Sequence, residues 1–253
     1  MARRRAPAGL PQRYRVIRHE TLDSTNAEAL RSTARAGDVI VADVQTAGRG
    51  RSGRIWRSPP GNLYASIVCD VPADRNPAQL AFVAALAVLD TIADLAPVAT
   101  LSLKWPNDIL GAGRKMAGIL IEAGERGHVV GIGINLRSAP PDDDVRYPAV
   151  SLRSLTNVDV APADAIGPLC HAFERWHGIW TRDGFAPVRT AWLASGHRMG
   201  DTIAASAGAA DRDQVRIEGR FAGLTADGAL LVDVNGGTRH TISAGDVIFS
   251  GVR

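Results

Sequence analysis

The chain has almost no lysine. Of its 29 basic residues only Lys104 and Lys115 are lysines, and both fall in one twelve-residue stretch. A chain that writes nearly every cation as arginine keeps lysine where a slim, mobile ammonium fits and a wide planar guanidinium does not. Cysteine is nearly missing too. Cys69 and Cys170 stand alone with no CxxC, which excludes a disulfide framework and fits a reducing, cytoplasmic setting. The histidines at 19, 128, 171, 177, 197 and 240 show no metal-ligand spacing, so a zinc site is not expected. No apolar run approaches the roughly eighteen residues of a membrane span. The N-terminal RRRAPAGLPQRYR has charge but no apolar stretch, so it does not read as a secretory signal.

The net charge of +3 is unevenly placed. Arg3, Arg4, Arg5, Arg13, Arg15 and Arg18 all precede the first acid, Glu20; setting these six aside leaves 23 bases against 26 acids. The basicity is a tail property, which argues against a specific nucleic-acid surface. At 253 residues the chain can hold a large domain, or a large and a small one.

YRVIRHE reads as a strand. LDSTNAEALRSTARAG reads as a helix, with Thr25 and Glu28 at capping-box spacing and Gly37 as its terminating glycine. DVIVADVQ and LYASIVCD are β-rich runs. Asn76 caps a helix that has Pro77 at its first position. LSLKW, KMAGILIEA and HVVGIGIN are three more strands, the last two a hairpin. A helix is expected over 162–183, with Leu169, Phe173, Trp176 and Trp180 on one core-facing stripe. From about residue 199 short strands alternate with Gly and Asp turns, as in a small β-barrel. The division expected is a basic tail and first strand over 1–19, a main domain over 20–198 and a small domain over 199–253. The class is α+β.

Between the second and third strands lies a long loop, TAGRGRSGRIWRSPPGN. Gly48, Gly50 and Gly53 spell GxGxxG after a strand, with Asp70 seventeen residues on. That pattern belongs to dinucleotide-binding folds only where the third glycine opens a helix. Pro59, Pro60 and Gly61 follow too closely for one. The loop also carries Arg49, Arg51 and Arg54, together with Trp56. Clustered guanidiniums on a flexible backbone suit a loop that becomes ordered around an arriving anion.

SLKWPNDI brings Lys104, Trp105, Asn107 and Asp108 to a strand end, where Pro106 makes a turn. A lysine entering that turn and an aspartate leaving it suit a polyphosphate and Mg²⁺. Lys115 precedes the small residues Ala117 and Gly118. Alternating glycines with Gly133 lead to Asn135 in GIGIN, which permits close approach of a flat ligand. Together these describe a pocket with cations for a polyanion.

STN at 24–26, QTAGRGRSGRIW at 45–56, KWPND at 104–108, RKMAGILIE at 114–122 and GIGIN at 131–135 resemble the biotin protein ligases. The likeness runs from about residue 20 to the end and includes DGALLV and SAGDV. It implies a class II aminoacyl-tRNA synthetase-like catalytic domain followed by an SH3-like domain. It implies formation of biotinyl-5′-adenylate from biotin and ATP with Mg²⁺, then transfer of biotin to one lysine of a biotin carboxyl carrier domain in a carboxylase. The short stretch before STN implies no operator-binding module and no repressor activity. By the same resemblance Ser24, Thr25, Asn26 and Gln45 bind the biotin rings. Gly48, Arg49, Gly50 and Arg51 close over the adenylate, and Trp56 covers the adenine. Gly118 and Gly133 give close approach to the ligand. Lys115 bridges the biotin carboxylate and α-phosphate. Lys104 and Asp108 face phosphates and metal, and Asn107 and Asn135 face the nucleotide. A lipoate ligase is the nearest rival; a nicotinamide-dependent oxidoreductase and a nucleic-acid regulator are the more distant ones.

Overall fold

The computed structural model describes residues 9–97, 100–142, 147–196, 199–207, 215–235 and 237–249. Arg3, Arg4 and Arg5 of the basic tail, the start of the expected strand at Asp213 and Gln214, and His197 lie outside them.

Seven strands make the main sheet: β1 (Arg15–Leu22), β2 (Asp38–Gln45), β3 (Leu63–Cys69), β4 (Leu101–Lys104), β5 (Asp108–Gly111), β6 (Arg114–Gly124) and β7 (Gly127–Ile134). Their order is β1-β2-β3-β7-β6-β5-β4. The pairing of β1 with β2 is parallel and the rest is antiparallel. Successive side chains of a strand point to opposite faces, and that period separates two packing layers. Val39, Val41, Ile67 and Val130 join the main core. Ile40, Val68 and Val129 turn the other way and pack on Ala29 and Ala34, beside the helix α1 (Thr25–Arg31).

The main core is covered by α2 (Leu80–Leu95), α4 (Pro162–Asp183) and α5 (Phe185–Ser195). A further short helix, α3 (Leu152–Thr156), packs on the same side through Leu152. The expected stripe of α4 is core: Leu169, Phe173 and Trp180 are buried and Trp176 is partly so. Asn76 caps the entry to α2 through Ala78 N, with Pro77 first in a 3₁₀ turn. One expectation fails here. Residues Pro77–Leu95 are long and apolar enough to cross a membrane. They are mostly buried under the sheet instead, because a helix that packs on several sides is apolar all round.

Two details of the first helix also differ. Its N-cap is Ser24, not Thr25, and its last residue is Arg31, well short of Gly37. Gly37, at φ +96°, opens β2 instead; a Cβ there would lie 2.4 Å from the Arg13 carbonyl oxygen.

The C-terminal sheet has five antiparallel strands: β8 (Thr202–Ala207), β9 (Val215–Leu224), β10 (Leu230–Asp233), β11 (Arg239–Ile242) and β12 (Gly245–Phe249), in the order β11-β10-β9-β8-β12. It is not an independent bead on the chain. Ile203, Phe221, Leu230, Val232 and Val247 belong to the same continuous core as α2 and α5. Trp105 Nε1 donates to the Gly228 carbonyl at 3.0 Å.

Candidate active site

A cavity of about 400 Å³ opens on the α1 side of the main sheet. Its floor exists because side chains are missing. Gly118 of β6 and Gly133 of β7 are cross-strand partners, and Gly131 lies two residues along. A Cβ at Gly131 would lie 2.3 Å from Asn26 Oδ1, and one at Gly133 would lie 2.5 Å from Trp56 Cε2. Glycine here is a space requirement.

One end of the floor is polar and cross-linked. Ser24, Thr25 and Asn26 start α1 and are all buried. The Thr25 backbone N–H and hydroxyl donate to Gln45 Oε1 at 2.8 and 3.2 Å. Gln45 Nε2 donates to Ser58. Asn26 donates to Glu122 Oε2 at 2.8 Å and accepts from the Ser66 hydroxyl at 2.6 Å. The true cap, Ser24, accepts from Ala27 N, and that frees the Thr25 hydroxyl for Gln45.

The arginine loop crosses the mouth as one hairpin-like turn, with Arg49 bridged to Ile55. No helix follows Gly53, since Arg54 is extended. The loop guanidiniums do not stand free. Arg49 bonds Glu122 at 3.0 Å. Arg51 donates to Asn107 Oδ1 at 3.3 Å and to the Gly245 carbonyl at 3.1 Å. Arg54 pairs with Asp246 at 2.9 Å. Three different elements divide the repelling charges among them. Burial pulls the Arg51 pKa below the usual arginine value. Trp56 lies flat on the two glycines, its Nε1 buried without a hydrogen-bond partner.

At the other end both lysines meet one carboxylate. Lys115 Nζ is 2.6 Å from Asp108 Oδ1, and Lys104 Nζ is 3.3 Å from Asp108 Oδ2. The β4–β5 turn makes this possible, because Lys104 and Asp108 are direct partners across it. The Trp105–Pro106 peptide within it is cis. Lys104 also sits 3.9 Å from Asp246 and 3.7 Å from the Tyr147 ring. Burial pulls the Lys104 ammonium pKa down, against Asp108 and Asp246, which hold it up. Burial pushes Asp108 up, but the two lysines outweigh it and leave the carboxyl below its ordinary value. Lys115 keeps one side to the cavity, 5.3 Å from the Trp56 ring.

Residues 16–138 match the Biotin/lipoate A/B protein ligase family, and residues 210–250 match the Biotin protein ligase C terminal domain. The biotin–[acetyl-CoA-carboxylase] ligase of Paracoccus denitrificans is 41% identical over 90% of this chain and 98% of its own length. The biotin protein ligase of Aquifex aeolicus, solved in complex with biotin and ATP, superposes with a TM-score of 0.82 at 26% identity, over 93% of this chain and 99% of that one. The Leishmania major biotin protein ligase in complex with biotinyl-5-AMP gives 0.63 at 26% identity, over 90% and 98%.

The chain belongs to the biotin protein ligase family.

In this ligase most of the expected site residues converge. Ser24, Thr25, Asn26, Gln45, Arg49, Gly50, Arg51, Trp56, Asn107, Asp108, Lys115, Gly118, Gly133 and Asn135 all line the cavity. Two expected residues do not. Gly48 packs under the loop, where a Cβ would lie 2.5 Å from the Trp56 carbonyl oxygen. Lys104 is sealed behind Asp108 at 2% side-chain exposure. Asn107 and Asn135 also have structural partners, the carbonyls of Ile119 and Lys115. Sequence reasoning missed Asp246 and Tyr147, which also line the cavity. SAGDV is part of the family likeness, but nothing local marks its aspartate as a neighbour of Arg54. Glu122 and Ser66 were missed too; each sits in an apolar strand as an isolated polar residue facing the site.

Asp108 was expected beside Mg²⁺, and the structure shows it paired with cations. Each of its oxygens already faces an ammonium. Among the described residues there is no group of three or more His, Cys, Asp or Glu placed to hold a metal. Asp108 is the counter-ion of the lysines.

Proposed function

We propose that the cavity is where this ligase joins the biotin carboxylate to the α-phosphate of ATP, and that Lys115 holds the two anions together. One observation carries the reading: a single half-open ammonium stands on the rim of a glycine-floored slot, with arginines across the mouth. A carboxylate is a poor acyl donor, because its charge repels nucleophiles and oxide leaves badly. Its oxygen attacks the α-phosphorus, the bond to the β-phosphate oxygen breaks, and pyrophosphate leaves. The ε-amine of a carrier lysine then attacks the acyl carbon, and AMP departs. The protein's contribution is orientation and fixed charge; no internal nucleophile is needed.

In this reading Ser24, Thr25, Asn26 and Gln45 form the polar end that takes the biotin rings. Gly118 and Gly133 form the floor beside that end, against which Trp56 packs. Arg49, Gly50 and Arg51 cover the adenylate, Trp56 covers its base, and Asn107 and Asn135 lie on the nucleotide side. Magnesium belongs here only as the companion of the nucleotide phosphates. The partner is a carboxylase carrier domain. A cytoplasmic setting agrees with the two free, buried cysteines.

The test is incubation with biotin, ATP and an isolated carrier domain, read by mass. A gain of one biotin on the carrier, with pyrophosphate exchange that requires biotin, is the expected result. Exchange driven by lipoate and not by biotin would overturn it.

A further inference from the structure

The two lysines that share Asp108 are not equivalent. Lys104 is 2% exposed and Lys115 is 24% exposed, and the carboxylate between them is 7% exposed. They use different oxygens of Asp108, so one can leave without disturbing the other. Only Lys115 lines the cavity. Lys104 is shut behind, capped by the Tyr147 ring and within 3.9 Å of Asp246.

A task at the cavity requires Lys115 to turn part of its charge from Asp108 to incoming anions. A buried carboxylate deprived of its only cation is strongly destabilised and would hold that cation back. Asp108 is never in that position, because a second ammonium stays on its other oxygen. Around Lys104 the Tyr147 ring and the carboxylates of Asp108 and Asp246 all favour the charged form, against the burial that disfavours it.

Resting on the role given above to Lys115, we infer that Lys104 is a positioning residue that acts through Asp108, holding that carboxylate while Lys115 is handed over to the reacting anions. It does not touch the nucleotide. The arrangement explains why lysine is kept at both positions in an arginine-rich chain. Two compact ammoniums fit around one buried carboxylate, where two guanidinium forks would crowd.

The test is Lys104→Met in the full chain, alone and with Asp108→Asn. For Lys104→Met we expect kcat of biotin-dependent pyrophosphate exchange to fall at least about tenfold. KM for biotin and for ATP should stay within about threefold. In the Asp108→Asn background the same substitution should cost less than about threefold, because there is no carboxylate left to hold. Lys104→Arg, which keeps the charge, should retain more of the rate than Lys104→Met. If Lys104→Met does not fold, Lys104→Gln, which also removes the charge, is carried through the same two backgrounds with the same expectation. If Asp108→Asn is too slow to measure, the division between kcat and KM decides.

Equal losses in both backgrounds would overturn the inference. So would a large rise in the KM for ATP with kcat preserved, which would place Lys104 on the nucleotide. Absence of exchange in the unmodified protein would instead remove the reading of the site itself.

Discussion

The β6–β7 hairpin has two faces that share one backbone and differ in almost everything else. One face carries Ala117, Ile119, Val130, Ile132 and Ile134, all buried in the main core. The other carries Gly118, Gly131 and Gly133, where any added methyl meets Asn26 or Trp56. The first face is filled, and its energy is area removed from water. The second is bare of side chains, and its value is that Asn26 and Trp56 can lie directly against the backbone there. The same alternation along two strands therefore supplies both the stability and the slot.

Substitutions on the two faces should separate accordingly. The largest effect is expected on the filled face. Ile134→Ala should lower unfolding stability by about 2–5 kcal/mol, measured by denaturant titration, with KM for both substrates held. Little loss of stability would mean that this face tolerates voids and the contrast is weaker than drawn.

On the emptied face, Gly133→Val should cost about 2 kcal/mol of transition-state stabilisation, roughly thirtyfold in kcat/KM for adenylate formation. Its thermal midpoint should move far less than that of Ile134→Ala. A loss of folding without a specific loss of rate would make Gly133 a structural glycine only.

At the rim, Lys115→Arg should slow adenylate formation about tenfold, roughly 1.4 kcal/mol, with stability unchanged. Near-normal pyrophosphate exchange in that variant would remove the bridging role.

The smallest effect concerns His177, under the filled face. It is buried, stacks on Phe173 at 5.6 Å and bonds the Asp70 carbonyl through Nε2 at 3.0 Å. Burial lowers its pKa, so the folded protein favours the neutral ring. The unfolded chain then binds a proton first as pH falls below the ordinary value near 6.5. Stability is full above that pH and declines below it, levelling off under the folded pKa. Thermal melts from pH 8 to 5 should show this decline, and His177→Gln should reduce it. An unchanged profile in the variant would assign the acid sensitivity elsewhere.

The strands were legible because their apolar runs and alternation are local. So was α4, whose Leu169, Phe173 and Trp180 recur at helical spacing. The short β5, β8, α3 and α5 were not foreseen, since four to six residues, or a helix opening at Phe185 directly after Gly184, carry little periodic signal. The capping register slipped by one residue, from Ser24 to Thr25, because both types can cap a helix and the bond from Thr25 to Gln45 decides between them. The arginine loop was recognised by composition. Its tethers to Glu122, Asn107, Gly245 and Asp246 lie far away in sequence and had no local mark.

By itself the sequence determined the family, the strand and helix faces and most of the residues that line the cavity. These follow from motif spacing and side-chain period, which are properties of neighbours along the chain. Tertiary structure alone decided that one aspartate stands between the two lysines. It also decided that Lys104 is sealed away and that Asp246 of the C-terminal sheet closes the charge row. Those outcomes depend on which buried charges meet across a fold, and desolvation and pairing act through space, not along sequence.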